Sequence, residues 1–176
     1  MKFRTKGLAV VGAAIATAMV VAVPVALSVT VNGFLSNTDP KQHDRLFRDG
    51  LPSDCHGKAN PGLVGDGHSR PYDKYGFTNT ASTAKCVQVR LEHLCDPGNA
   101  FAQANSAFVP SDPSAHYLGD AGDSGSLQNF SFSVPGGNHF DVVVAEVDGG
   151  LHALPCRYRL TVSIPGQLSF TAGATG

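Results

Sequence analysis

The chain has 176 residues, with 13 Lys+Arg against 14 Asp+Glu and only 15% of positions charged. So even a balance excludes a basic nucleic-acid-binding surface and an acidic tail, and the length suits one folded domain rather than two. The 20 glycines, together with plentiful Ser, Thr and Asn, suit short strands joined by turns better than helices.

The first element is an export segment over residues 1–31. Lys2, Arg4 and Lys6 form a basic start, and Gly7 to Val31 carries no charge. This is the pattern of a secretory signal and also of a single-span membrane anchor. Fully helical, the uncharged run would extend about 37 Å, enough to cross a bilayer. Against an anchor, Pro24 interrupts the run, and Ala26-Leu27-Ser28 offers small residues at the two positions a signal peptidase reads. Both outcomes leave the rest of the chain secreted, or held on the outer face of the cytoplasmic membrane. The membrane is then met only through this segment.

Residues 32–42 read as a linker, 43–165 as the folded domain and 166–176 as a loose tail. Arg45–Arg48 is a first short strand stopped by Asp49-Gly50. Pro52 to Arg70 has the Pro/Gly/Asp/Asn content of loop. Tyr72–Asn79 reads as a strand, and in Val87–Glu92 apolar and polar residues alternate at each step. Asn105–Val109 is a weaker strand, although Ala100–Ala107 is the one stretch with helical character. His116–Leu118 is a brief extended piece, followed by an Asp/Gly/Ser loop from Gly119 to Ser126. Asn129–Val134 alternates, Pro135–Asn138 turns, and Phe140–Val147 returns with an apolar centre buried on both sides. Tyr158–Ile164 alternates again. Seven or eight short strands predict an all-β fold, an antiparallel two-sheet sandwich of jelly-roll type. Its core faces are Val87, Val89 and Leu91; Phe130, Phe132 and Val134; and Leu160, Val162 and Ile164.

All four cysteines, Cys55, Cys86, Cys95 and Cys156, follow the export segment and are expected to form two disulfides in an oxidising compartment. No pair has the C-x₂₋₄-C spacing of a zinc site. An extended strand from 86 to 95 would hold those two cysteines about 30 Å apart, against a limit of roughly 7 Å for a bridge. This disfavours Cys86–Cys95, so that Cys156 pairs with Cys86 or Cys95 and Cys55 with the other.

Three segments together resemble bacterial pre-peptidase C-terminal-type domains: Tyr72–Asn79, Phe130–Gly137 and Cys156–Val162. Asp73, Tyr75 and Phe77 match a D-x-Y-x-F strand. Pro135-Gly136-Gly137 approximates a P-A-G turn, with Gly where Ala is usual, and Tyr158, Leu160 and Val162 match a closing Y-x-L-x-V. The resemblance spans residues 44–164. It implies a β-sandwich accessory to secreted hydrolases, some members binding calcium and some attaching to polymers. This chain departs from that arrangement in carrying no peptidase.

Several residues carry candidate chemistry. Gly122-Asp123-Ser124-Gly125-Ser126 resembles the segment around a serine-protease nucleophile, making Ser124 the attacking residue of an alternative hydrolase reading. The second glycine is missing, however, and no matching histidine segment exists. Asp120 and Asp123 in the same loop are candidate calcium ligands, although no D-x-D-x-D-G spacing supports them. The histidines stand singly, without a metal motif. Glu92 falls on the polar face of its strand. Tyr72, Tyr75 and Tyr117 could stack on sugars but fit core or rim positions better, and there is no tryptophan. The expectation is a non-catalytic module needing no cofactor, calcium aside, that binds an extracellular polymer, protein or glycan or serves structurally at the envelope.

Overall fold

The computed structural model describes residues 26–95, 100–149 and 154–165, and the strand pairing of 168–171. Ten strands occur among them: β1 (Ala26–Leu35), β2 (Lys41–His43), β3 (Ser69–Asn79), β4 (Lys85–His93), β5 (Ala100–Asn105), β6 (Tyr117–Asp120), β7 (Leu127–Val134), β8 (His139–Glu146), β9 (Cys156–Pro165) and β10 (Leu168–Thr171). They form two antiparallel sheets. One runs β1-β9-β4-β7; the other runs β10-β3-β8-β5-β6, with β2 also pairing along β3. Set β2 and β10 aside and number the remaining eight in chain order. The sheets then read 1-8-3-6 and 2-7-4-5, the strand order of a jelly roll.

Period-two burial explains the core. Along β4 the residues Val87, Val89 and Leu91 are buried while Gln88 and Arg90 are exposed, and β7 and β9 follow the same rule with Phe130, Phe132, Val134, Leu160, Val162 and Ile164. Against them the second sheet presents Tyr75, Phe77, Phe101, Phe140, Val142 and Val144. Phe132 meets Phe140 edge-on between the sheets, with ring centroids 5.4 Å apart. β8 is central, between β3 and β5, and is buried from Phe140 to Glu146, as its apolar centre predicts.

Several segments differ from the sequence reading: Lys41–His43, at the end of the expected linker, is β2, and of the expected strand Asn105–Val109 only Asn105 is in a strand, where β5 ends. Ala26–Leu35, expected as the end of the export segment and the start of a linker, is the first jelly-roll strand and pairs with β9 over its whole length. Its alternation of Ser28, Thr30 and Asn32 with Val29 and Val31 is a strand signal that the neighbouring apolar run conceals. Ala100–Ala107 is not helical. Residues 100–105 form β5, fully buried between β8 and β6, and in that setting sheet packing overrides the helix propensity of alanine. Arg45–Arg48 contributes only an isolated bridge, Leu46 to Leu63. Within the expected tail, Leu168–Thr171 pairs with β3. Residues 1–25, the rest of the expected export segment, lie outside the described residues, among which no helix is long and apolar enough to cross a membrane.

Candidate functional site

The disulfides resolve the open pairing as Cys55–Cys86 and Cys95–Cys156, with Cα atoms 5.6 and 5.2 Å apart. Cys86 lies near the start of β4 and Cys95 just past its end, so the strand itself keeps these two apart. Cys95–Cys156 ties the end of β4 to the start of its neighbour β9. Cys55–Cys86 instead pins the long loop after β2 onto the outer face of the four-stranded sheet. Two such bridges are compatible with an extracellular location.

The candidate calcium ligands do not converge on a cation. Asp120 is fully buried; its oxygens accept from Lys58 Nζ at 3.0 and 3.1 Å, from the Gly122 N–H at 2.6 Å and from the Tyr117 hydroxyl. Burial, and then Asp120, push the Tyr117 phenol well above its ordinary range. Lys58 also pairs with Asp49 at 2.7 Å. Asp123 is exposed and accepts from the Gly125 N–H at 3.0 Å, closing a local turn. Calcium wants six to eight oxygens around it, and here an ammonium group already holds the Asp120 carboxylate. The residues therefore do not fit the ion. Among the described residues no three His, Cys, Asp or Glu side chains gather where a metal could sit.

Ser124 is buried, and its Oγ accepts a hydrogen bond from Arg48. A guanidinium has donors and no acceptor, so it cannot take a proton from the serine. No imidazole bonds to Ser124 among the described residues. The polar bonds of this loop are spent on holding it to the 44–58 loop, with Gly50 N–H donating to Gly122 O at 2.9 Å.

What the geometry does build is a cleft of about 480 Å³ on the outer face of the four-stranded sheet, lined by Pro52, Ser53, Asp54, Gln88, Val89, Asn129, Phe130 and Ser131. Its floor is the β4–β7 pair, where Gln88 lies opposite Ser131 and Arg90 opposite Asn129. Even-numbered β4 residues and odd-numbered β7 residues point outward, so the polar half of each alternating strand faces the cleft. Its wall is the pinned loop. Ser131 N–H donates to Ser53 O at 3.0 Å, Ser53 Oγ donates to Ser131 O at 3.0 Å, and Cys55–Cys86 fixes the next turn. Asp54, at the rim, accepts from the His56 N–H at 2.8 Å. Further along the same face Arg90 and Arg159 share Glu92, at 2.9 and 3.5 Å, and Arg157 lies over the Phe34 ring, 5.4 Å from its centroid. The face is rich in amide, hydroxyl and guanidinium groups, with Asp54 and Glu92 as its carboxylates. The sequence reading placed Glu92 on the polar face of its strand and gave none of the polar residues that line the cleft a role in binding. Only the disulfide pairing shows which outward positions a wall encloses.

The residues that carry the sequence resemblance also meet, but inside the sandwich. Tyr158 of β9 donates its hydroxyl to Asp73 of β3 and bonds the Tyr75 hydroxyl at 2.7 Å, linking the two sheets. Gly33 of β1 covers this cluster. A Cβ there would come within 2.1 Å of the Tyr158 ring, so only glycine lets the strand lie so close. Burial raises the Asp73 carboxyl to about 6, while the Tyr158 hydrogen bond lowers it and Asp39 raises it further. Burial likewise takes the Tyr75 phenol up to about 12. Tyr72 and Tyr75 are core residues, and Tyr117 is half-buried against Asp120. None of the three offers an open ring for sugar stacking.

The fold and these sites define an all-β, disulfide-bonded jelly-roll domain with a polar cleft on one sheet. No protein-family model matches the chain, and no curated protein matches it.

Proposed function

We propose that this chain is an exported, non-catalytic β-sandwich module that binds a polar polymer, a glycan in particular, on the outer face of its four-stranded sheet. Its place of action is the cell envelope or the space outside the cell. The observation that carries the reading is the walled cleft, whose Gln88, Asn129 and Ser131 side chains project from a rigid sheet as hydrogen-bonding groups for hydroxyl-rich ligands. The basic and then apolar N-terminus, the two disulfides and the likeness to pre-peptidase C-terminal-type domains all favour an accessory module of this kind. Calcium has no part in the binding we propose, because Lys58 already neutralises Asp120.

The test is retention of the purified protein on insoluble glycans and cell-wall material, with and without a chelator. Gln88→Ala/Asn129→Ala is expected to abolish retention while leaving the melting midpoint close to the parent's, since both side chains are exposed. Chelator is expected to change nothing. Absence of retention on every polymer tried, or retention that survives the double substitution, refutes the reading.

A further inference from the structure

The outer face of the four-stranded sheet continues well past the cleft. The registers of β1, β9, β4 and β7 set its outward side chains in rows across the strands. Ser28, Ser163, Gln88 and Ser131 make one row, and Thr30, Thr161, Arg90 and Asn129 the next. Asn32, Arg159, Glu92 and Leu127 follow. Phe34 and Arg157 make the last row, which Leu94 extends, its N–H donating to Arg157 O at 2.8 Å. From the Gln88 row to the Arg157 row the face runs about 20 Å along the strands. One end is neutral and hydrogen-bonding; the other is cationic.

Charge is unevenly shared over the molecule. The chain carries a net −1, yet the outward positions of these strands hold Arg90, Arg157 and Arg159 against Glu92 alone among the described residues. Arg90 and Arg159 share that one carboxylate, at 2.9 and 3.5 Å, and both stay half-exposed. Arg157 has no carboxylate partner among the described residues; its guanidinium lies 5.4 Å from the centroid of the Phe34 ring. A ring attracts a cation through its π face and leaves the N–H donors for an oxyanion. Asp54 stands on the wall beside Gln88 and Ser131. That end of the face is about 20 Å from the Arg157 row, well beyond a screening length of about 8 Å at physiological salt. Apolar groups flank the same guanidinium, Phe34 being 46% exposed and Leu94 60%. They offer a surface for the C–H faces of sugar rings and strengthen an ionic contact made beside them by excluding water.

We infer that the polymer held on this face is an anionic glycan, bearing carboxylate or phosphate groups. Its hydroxyls meet Gln88, Asn129 and Ser131, and its oxyanions meet Arg157, Arg159 and Arg90. This rests on the polymer reading above and adds the charge of the ligand to it. A guanidinium pairs with a carboxylate or phosphate through two parallel N–H bonds, and one Glu92 shared by two arginines leaves donors on each of them free for a ligand. The loop wall beside the neutral rows suits a chain laid along a channel and keeps a flat bilayer off them.

Retention of the purified full chain, in mild detergent, on beads bearing polygalacturonate, phosphomannan or uncharged dextran tests this at low and at high salt. At least one anionic bead is expected to bind roughly tenfold tighter than dextran at low salt and to lose that advantage at high salt. Which of the two it is tells carboxylate from phosphate. Arg157→Gln/Arg159→Gln is expected to weaken the anionic binding roughly tenfold, and Glu92→Gln, which frees two arginines, to tighten it. These side chains are exposed or half-exposed, so melting midpoints close to the parent's verify that both variants fold. Equal retention on all three beads, or an arginine variant that binds like the parent, overturns the inference and leaves the polymer reading standing. Absence of retention on any polymer overturns both. Capture by anionic phospholipid vesicles, with none by the anionic beads, assigns the arginines to a membrane and overturns the inference as well.

Discussion

Asp73→Asn is expected to stabilise the fold at pH 7.5 and to have little effect near pH 4. Asp73 is buried between the sheets, its bond from Tyr158 being the contact that favours its charged form, and its carboxyl is raised to about 6 from an ordinary 3.8. A carboxyl whose folded value lies above its unfolded value binds its proton more tightly in the native state. The associated stability is complete below about 3.8 and is lost as the pH rises through 6. A shift of about two units corresponds to about 3 kcal/mol, roughly half of it recovered by pH 5. For a domain of this size that is on the order of 10 °C in melting temperature. His93 works in the opposite sense. Burial lowers its pKa, so its contribution is complete above the unfolded value near 6.5 and is lost as the pH falls from there through the lower folded value. The parent's raw profile therefore mixes the two groups, and the difference between Asp73→Asn and the parent isolates the carboxyl. Scanning calorimetry of both proteins from pH 4 to pH 8 measures it. A gap that stays constant with pH, or a variant less stable than the parent at pH 7.5, would refute the reasoning.

The other two predictions concern the loop that walls the cleft. Lys58→Ala strands a fully buried carboxylate and is expected to cost about 3–5 kcal/mol in urea denaturation. In the double variant with Asp120→Ala the loss should be smaller than the sum of the single losses; strict additivity would mean that the pair is not coupled. The disulfides close separations of 31 and 61 residues, so removing either by paired Cys→Ser substitution is expected to cost about 3–4.5 kcal/mol. Only loss of Cys55–Cys86 should also abolish retention on the polymer, because only that bridge holds the wall. Full retention after its removal would disconnect the wall from binding.

The core was legible wherever one face of a strand is wet. Val87–Glu92, Asn129–Val134 and Tyr158–Ile164 all alternate, and all nine core residues named on them are buried. Legibility failed where that contrast disappears or is masked. β5 has no wet face, so its Ala-Phe-Ala-Gln-Ala-Asn has no period to read, and its helix propensity misleads. The cleft could not be read at all, because its floor comes from two strands and its wall from a loop that long-range pairing brings over them. Alternation identifies Gln88 and Asn129 as outward but cannot say what lies beside them.

β1 failed for a different reason: its pattern was present but belonged to two stories at once. Val29 and Val31 serve equally as the end of an apolar export run and as the inward half of a strand, and only the strand gives a role to Ser28, Thr30 and Asn32 between them. Strand order adds a topological argument. The jelly roll places its last strand between the first and the third, so β9 needs a neighbour on its far side, and among the described residues no segment after residue 42 supplies one. Without Ala26–Leu35, the backbone of Tyr158–Ile164 would lie unpaired along one flank, and Tyr158 would lose the glycine that covers it. The uncharged residues that the sequence reading assigned to the end of an export segment are thus the ones the fold requires. A strand drawn from such a sequence carries no charge along its length.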